Sequence, residues 1–91
     1  MRYVISYDIP DDQRRTRLAK ALRDFGDRVQ YSVFEAVLDK RLFDNLLKKI
    51  EDIIDAQKDS VYIYPICADC EGKRITLGQG QVSEEKEVYI L

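Results

Sequence analysis

Along the chain the apolar residues change period several times. Tyr3-Val4-Ile5-Ser6-Tyr7 is a run of strand formers closed by Asp8, and Pro10 ends any ladder. From Asp11 the period becomes helical. Leu18, Ala21, Leu22 and Phe25 share one stripe, Asp11 and Asp12 supply cap chemistry, and Gly26 reads as a stop. Arg28 to Leu38 is strand-like but shifts phase: Val29 and Tyr31 share one face, Phe34, Ala36 and Leu38 the next. A single strand does not switch faces, so a tight turn or bulge is expected near Ser32. Asp39 then caps a second helix carrying Phe43, Leu46, Leu47, Ile50, Ile53 and Ile54 at core spacing. Val61 to Cys67 is a further strand, which Pro65 restricts to a sheet edge. Arg74 to Leu77 reads as a short strand, Gly78 to Gly80 as a hinge, and Val88 to Leu91 as a β-prone end. Such an end is an aggregation hazard unless paired, and a second subunit would pair it.

The order β-α-β-β-α-β predicts an α+β, ferredoxin-like domain over residues 1–78 with antiparallel sheet order 4-1-3-2, followed by a tail, 79–91. Ninety-one residues make one domain with a limited core. No apolar run approaches the ~20 residues that span a bilayer, and the amino terminus lacks a signal-peptide pattern. The expectation is a cytoplasmic protein with no membrane partner.

Charge adds detail. The net charge is −2, yet residues 1–31 carry seven Arg or Lys against five acids. Arg14, Arg15 and Arg17 sit in the first turns of the first helix, where cations oppose the helix dipole; an anionic partner would explain them. Lys20 and Arg23 read as a solvated face. The chain has no histidine, which excludes Ser-His-Asp and Cys-His catalysis and any His general base.

In the predicted topology the second strand finishes beside Asp8, so one rim gathers Asp8, Arg14, Arg15, Arg17 and the Gln30–Phe34 segment. Asp8 reads either as a turn or cap residue or as a mount for a hard cation. An exposed aromatic there would stack on a base, and arginines would pair with phosphate. One acid per chain is too few for a useful metal site; two Asp8 residues on a two-fold axis would suffice.

Tyr7-Asp8, Gln30-x-Ser32-x-Phe34, the Tyr-rich strand running into Cys67-x-x-Cys70, and the late Gly78-x-Gly80 together resemble the Cas-two family, the small CRISPR-associated endonucleases of spacer acquisition. The resemblance implies a ferredoxin-like homodimer with an extra carboxyl-terminal strand exchanged between subunits. It implies a Mg²⁺ (or Mn²⁺) dependent nuclease acting on single-stranded RNA or double-stranded DNA and bridging the Cas-one integrase. The family's metal-binding, catalytic aspartate falls on Asp8. Its nucleic-acid-binding basic positions fall on Arg14, Arg15, Arg17 and Arg28, and its aromatic on Phe34; Tyr7, Gln30 and Ser32 support them. Tyr7 and Phe34 read equally as packing residues, and Gln30 and Ser32 as partners of turn backbone. Two other functions fit the same residues: a non-catalytic dimeric scaffold between integrase and DNA, and a toxin-type ribonuclease of similar fold. Cys67 and Cys70 are half of a zinc site, which dimer pairing could complete with four thiolates, and a redox role would need a thioredoxin-like context that is missing; they read as ordinary thiols after an edge strand.

Overall fold

A computed structural model describes residues 1–73, 75–78 and 88–89. The elements are β1 (Arg2–Asp8), α1 (Asp12–Arg23), β2 (Asp27–Gln30), β3 (Val33–Val37), α2 (Lys40–Ile53), β4 (Ser60–Ile66), α3 (Ala68–Glu71), β5 (Ile75–Thr76) and β6 (Val88–Tyr89). The first four strands form one sheet in the order β2-β3-β1-β4, with every neighbouring pair antiparallel. This is the predicted order, with β4 and its Pro65 at an edge.

One face of the sheet carries both long helices. Ile5 and Tyr7 of β1, Phe34 and Ala36 of β3, Leu18, Ala21 and Leu22 of α1, and Leu46, Ile50 and Ile53 of α2 form the core. Tyr3 stacks on Phe43 at its margin, centroids 4.4 Å apart. The helices begin where their caps dictate: Asp11 accepts from the Arg14 amide and Asp39 from the Leu42 amide, each at 2.8 Å.

Gly26 has a different reason to be glycine than a helix stop. The helix ends on Asp24 in ordinary right-handed geometry, and a Cβ on Gly26 would lie 2.0 Å from the Glu35 carbonyl oxygen and 2.8 Å from the Ala36 Cα. The chain needs a bare backbone there to pass close over β3.

The phase shift after Arg28 is both a bulge, between Arg28 and Gln30, and a turn at Tyr31-Ser32. The Tyr7 amide donates to the Ser32 carbonyl at 3.1 Å, which ties that turn to the end of β1.

Among the described residues, neither long helix lies on the second face of the sheet. In antiparallel pairs, residues directly opposite share a face, so Arg2, Val4, Ser6 and Asp8 line up with Val37, Glu35 and Val33 on one side and with Ile66, Tyr64, Tyr62 and Ser60 on the other. Arg2 is buried on this face in an ion pair with Glu35 at 3.2 Å. Beyond the sheet, β5 pairs in parallel with β6 of the same chain. The rest of the predicted tail, 79–87 and 90–91, and Arg74 lie outside the described residues.

Candidate nucleic-acid and metal site at the β1 end

Rigid placement comes from β1, which has a hydrogen-bonded neighbour on each side along most of its length. Asp8, its last residue, is exposed opposite Ser60. The rim predicted from topology is present: Asp8, the start of α1 and the β2–β3 turn converge there. What the individual side chains do differs from the sequence reading.

Arg14 and Arg15 find their anions inside the protein. Arg14 Nε donates to Asp59 Oδ2 at 2.8 Å and Arg14 Nη2 to Oδ1 at 3.0 Å. The Asp59 side chain is completely buried and also accepts from the Asp55 amide at 2.8 Å. Arg14 holds the Asp59 carboxyl below its usual range, and Asp59 in turn raises the Arg14 guanidinium. Arg15 pairs with Asp12 and donates to the Ile9 carbonyl at 2.7 Å. Hydrogen bonding to Asp12 is the main cause that raises its pKa, with a smaller contribution from nearby Tyr31. These partners account for cations in the first turns of α1 without an external ligand. Arg17 is exposed and makes no ion pair or hydrogen bond among the described residues.

Phe34 does not offer a base a surface to stack on. It is 1% exposed and belongs to the core, as its alternation allowed. The exposed aromatic of the rim is Tyr31, 69% exposed, which the sequence reading placed only as a strand residue. Its surroundings set its position. The Arg28 guanidinium lies 5.8 Å from the Tyr31 ring centroid and 5.3 Å from that of Phe34, and the buried Tyr7 hydroxyl donates to the Tyr31 carbonyl at 3.3 Å. Arg28 Nε is buried with no hydrogen-bond partner, so the π faces and not an anion hold the inner part of this side chain. Tyr7 therefore packs and braces the turn. Gln30 is exposed beside the bulge, and Ser32 serves the β1 end through its backbone.

No group of three His, Cys, Asp or Glu able to hold a metal occurs among the described residues, at Asp8 or elsewhere. A hard cation takes six or more oxygen ligands. The described residues of this chain do not complete such a set.

The family described as CRISPR associated protein Cas2 matches residues 1–74. The chain belongs to this family. It is 47% identical over 88 residues to CRISPR-associated endoribonuclease Cas2 4 of Rhodospirillum rubrum, covering 97% of this chain and 68% of that one. It is 43% identical over 89 residues to CRISPR-associated endonuclease Cas2 2 of Thermus thermophilus, covering 98% and 94%. Among solved structures it resembles Streptococcus pyogenes Cas2 with a TM-score of 0.76 at 30% identity, over 86% of this chain and all of that one. A hypothetical protein from Thermus thermophilus gives 0.79 at 42% identity, over 89% and 94%. Membership of a CRISPR family favours a nuclease role in that system over the toxin-type alternative. No helix among the described residues is long and apolar enough to cross a membrane.

Proposed function

We propose that this protein is a cytoplasmic, metal-dependent endonuclease of CRISPR spacer acquisition, working as a homodimer in which two Asp8 carboxylates share one Mg²⁺ or Mn²⁺. The observation that carries the proposal is the face on which Asp8 lies. Neither long helix covers that face among the described residues, and Tyr62 and Tyr64, stacked 6.4 Å apart, are 56% and 54% exposed on it, with exposed Val37 on the same face across β1. A 91-residue chain gains from covering such a surface with a second copy. A two-fold packing of these faces with its axis near the β1 end brings Asp8 against its own copy. Exchange of the tail, 79–91, onto the partner's sheet would require β6 to leave β5 of its own chain.

Each residue's part then follows. Asp8 holds the cation, which supplies Lewis-acid activation of the phosphodiester when bound. Arg17 and the outer part of Arg28 meet phosphates, Tyr31 stacks on a base of single-stranded RNA or of a DNA end, and Tyr7 holds Tyr31 in place through its carbonyl. Arg14 keeps the α1 start in register through Asp59.

A second reading is supported by the same lone acid. Without a fuller carboxylate set, the dimer would serve as a scaffold for DNA and the Cas-one integrase, and Asp8 would be dispensable. Cleavage of single-stranded RNA and duplex DNA, titrated with Mg²⁺ and Mn²⁺, separates the two. Asp8→Asn is expected to abolish metal-dependent cleavage while leaving the dimer and nucleic-acid binding intact. Wild-type cleavage by this variant would sink the nuclease mechanism in favour of the scaffold.

A further inference from the structure

Cys67 and Cys70 are the only thiols of the chain, and nothing at the β1 end uses them. The structure places them in a single turn. The Cys70 amide donates to the Cys67 carbonyl at 3.0 Å, and both thiols are free and exposed. A turn closed this way holds its first and fourth Cα atoms within about 7 Å, inside the range in which a disulfide closes without large backbone movement. The next amide contact, Lys73 to the Cys70 carbonyl at 3.0 Å, continues the turn toward β5. The pair therefore sits on the link between the sheet's edge strand and the tail.

We propose that Cys67 and Cys70 form a reversible intrachain disulfide, a redox modification site between β4 and the tail. The Cys70 thiol and then the Cys70 backbone lower the Cys67 pKa, and Cys67 in turn raises that of Cys70. Cys67 is thus the attacking thiol and Cys70 the resolving one. The Cys67 thiolate attacks a low-molecular-weight disulfide, forming a mixed disulfide and releasing one small thiolate, which takes up a proton. Cys70 then loses its proton and attacks the Cys67 sulfur, releasing the second small thiol. Two electrons and two protons pass from the protein to the small disulfide.

A ring this short restricts the unfolded chain little, since stabilisation grows with loop length. A bridge that contributes little to folding and stands exposed is of the labile kind that reducing thiols reopen. A metal role finds less support: two thiols make half a zinc site, and no third ligand group lies with them among the described residues.

The test equilibrates the full chain in buffers of reduced and oxidised glutathione over a range of ratios, then quenches with acid and an alkylating agent. Intact and peptide mass spectrometry should show a form lacking two hydrogens, with Cys67 joined to Cys70. Its fraction should rise and fall reversibly with the buffer ratio and be independent of protein concentration. Cys70→Ser should trap a glutathione adduct on Cys67 and should react with a thiol reagent faster than Cys67→Ser. Only mixed adducts, only interchain bridges, or zinc purifying at half an equivalent or more per chain and blocking oxidation would overturn the proposal. None of these outcomes depends on whether Asp8 is catalytic.

Discussion

Arg14 and Asp59, forty-five residues apart in sequence, are joined through both carboxylate oxygens, at 2.8 and 3.0 Å, with the carboxylate out of contact with solvent. The pair fastens the first turn of α1 to the segment between α2 and β4. It is a structural bond at the place where the sequence led us to expect a phosphate contact. Removing one partner strands the other, and that costs more than the pair itself contributes.

Asp59→Asn and Arg14→Ala are therefore expected to lower the melting temperature by several degrees at neutral pH, more than Arg17→Ala. The pH dependence has a definite sign. The Asp59 carboxyl is held below its ordinary value of 3.8. Its contribution is thus present above that value and is lost as pH falls through the lower, folded one. Melting curves of wild type and Asp59→Asn should converge in strong acid and separate above pH 4. A gap that stayed constant across that window would contradict the ion-pair account.

Phe34 and Tyr31 are three residues apart and should behave in opposite ways. Phe34→Ala empties a core site and should destabilise by about 3–5 kcal/mol in urea unfolding. Tyr31→Ala removes only an exposed ring and its contact with Arg28, and should change stability by no more than about 1 kcal/mol. On single-stranded RNA the order reverses for a Tyr31 variant that remains folded. Loss of one stacked base, worth ~1–3 kcal/mol, should weaken binding about tenfold. Unchanged RNA affinity in Tyr31→Ala would remove the aromatic from the proposed site.

Arg17 separates phosphate binding from folding. As an exposed cation with no partner among the described residues, it is free to neutralise one phosphate. Arg17→Ala should lower the slope of log affinity against log salt by about 1 on duplex DNA, with melting unaltered. Arg15→Ala should act differently, because Arg15 holds Asp12 and the Ile9 carbonyl and lies near enough to Tyr31 for that residue to raise its pKa. Its loss should affect RNA more than duplex DNA.

The dimer has its own test. Tyr64→Glu puts a charge in the middle of the face that neither long helix covers without touching the core, since Tyr64 is opposite Val4. Light scattering should report a monomer for this variant and a dimer for the wild type. A Tyr64→Glu dimer would show that copies do not meet through this face, and the shared-Asp8 arrangement would fall with it.

Much of the architecture was legible in the sequence because it depends on local period and punctuation. Asp8, Pro10 and Asp11 end a strand and start a helix within four residues, and the phase shift around Ser32 splits two strands. The rim followed from the crossover rule. The site's occupants were harder to read. An exposed tyrosine in a two-residue turn leaves no periodic trace, so Tyr31 was passed over for Phe34, whose motif spacing was the visible signal. The partner of Arg14 lies in a distant loop, and spacing along α1 says nothing about it. Gly26 looked like a helix stop, although its role is fixed by the backbone of β3.

Pro65 carries a consequence for whatever docks along β4. The pairing with β1 runs through it without a register shift, which suits a residue whose missing N–H faces the outer edge. A foreign strand laid along that edge therefore meets one vacant rung. It must stop, buckle or skip there, so the proline sets how far any borrowed strand can zip before its alignment is read out.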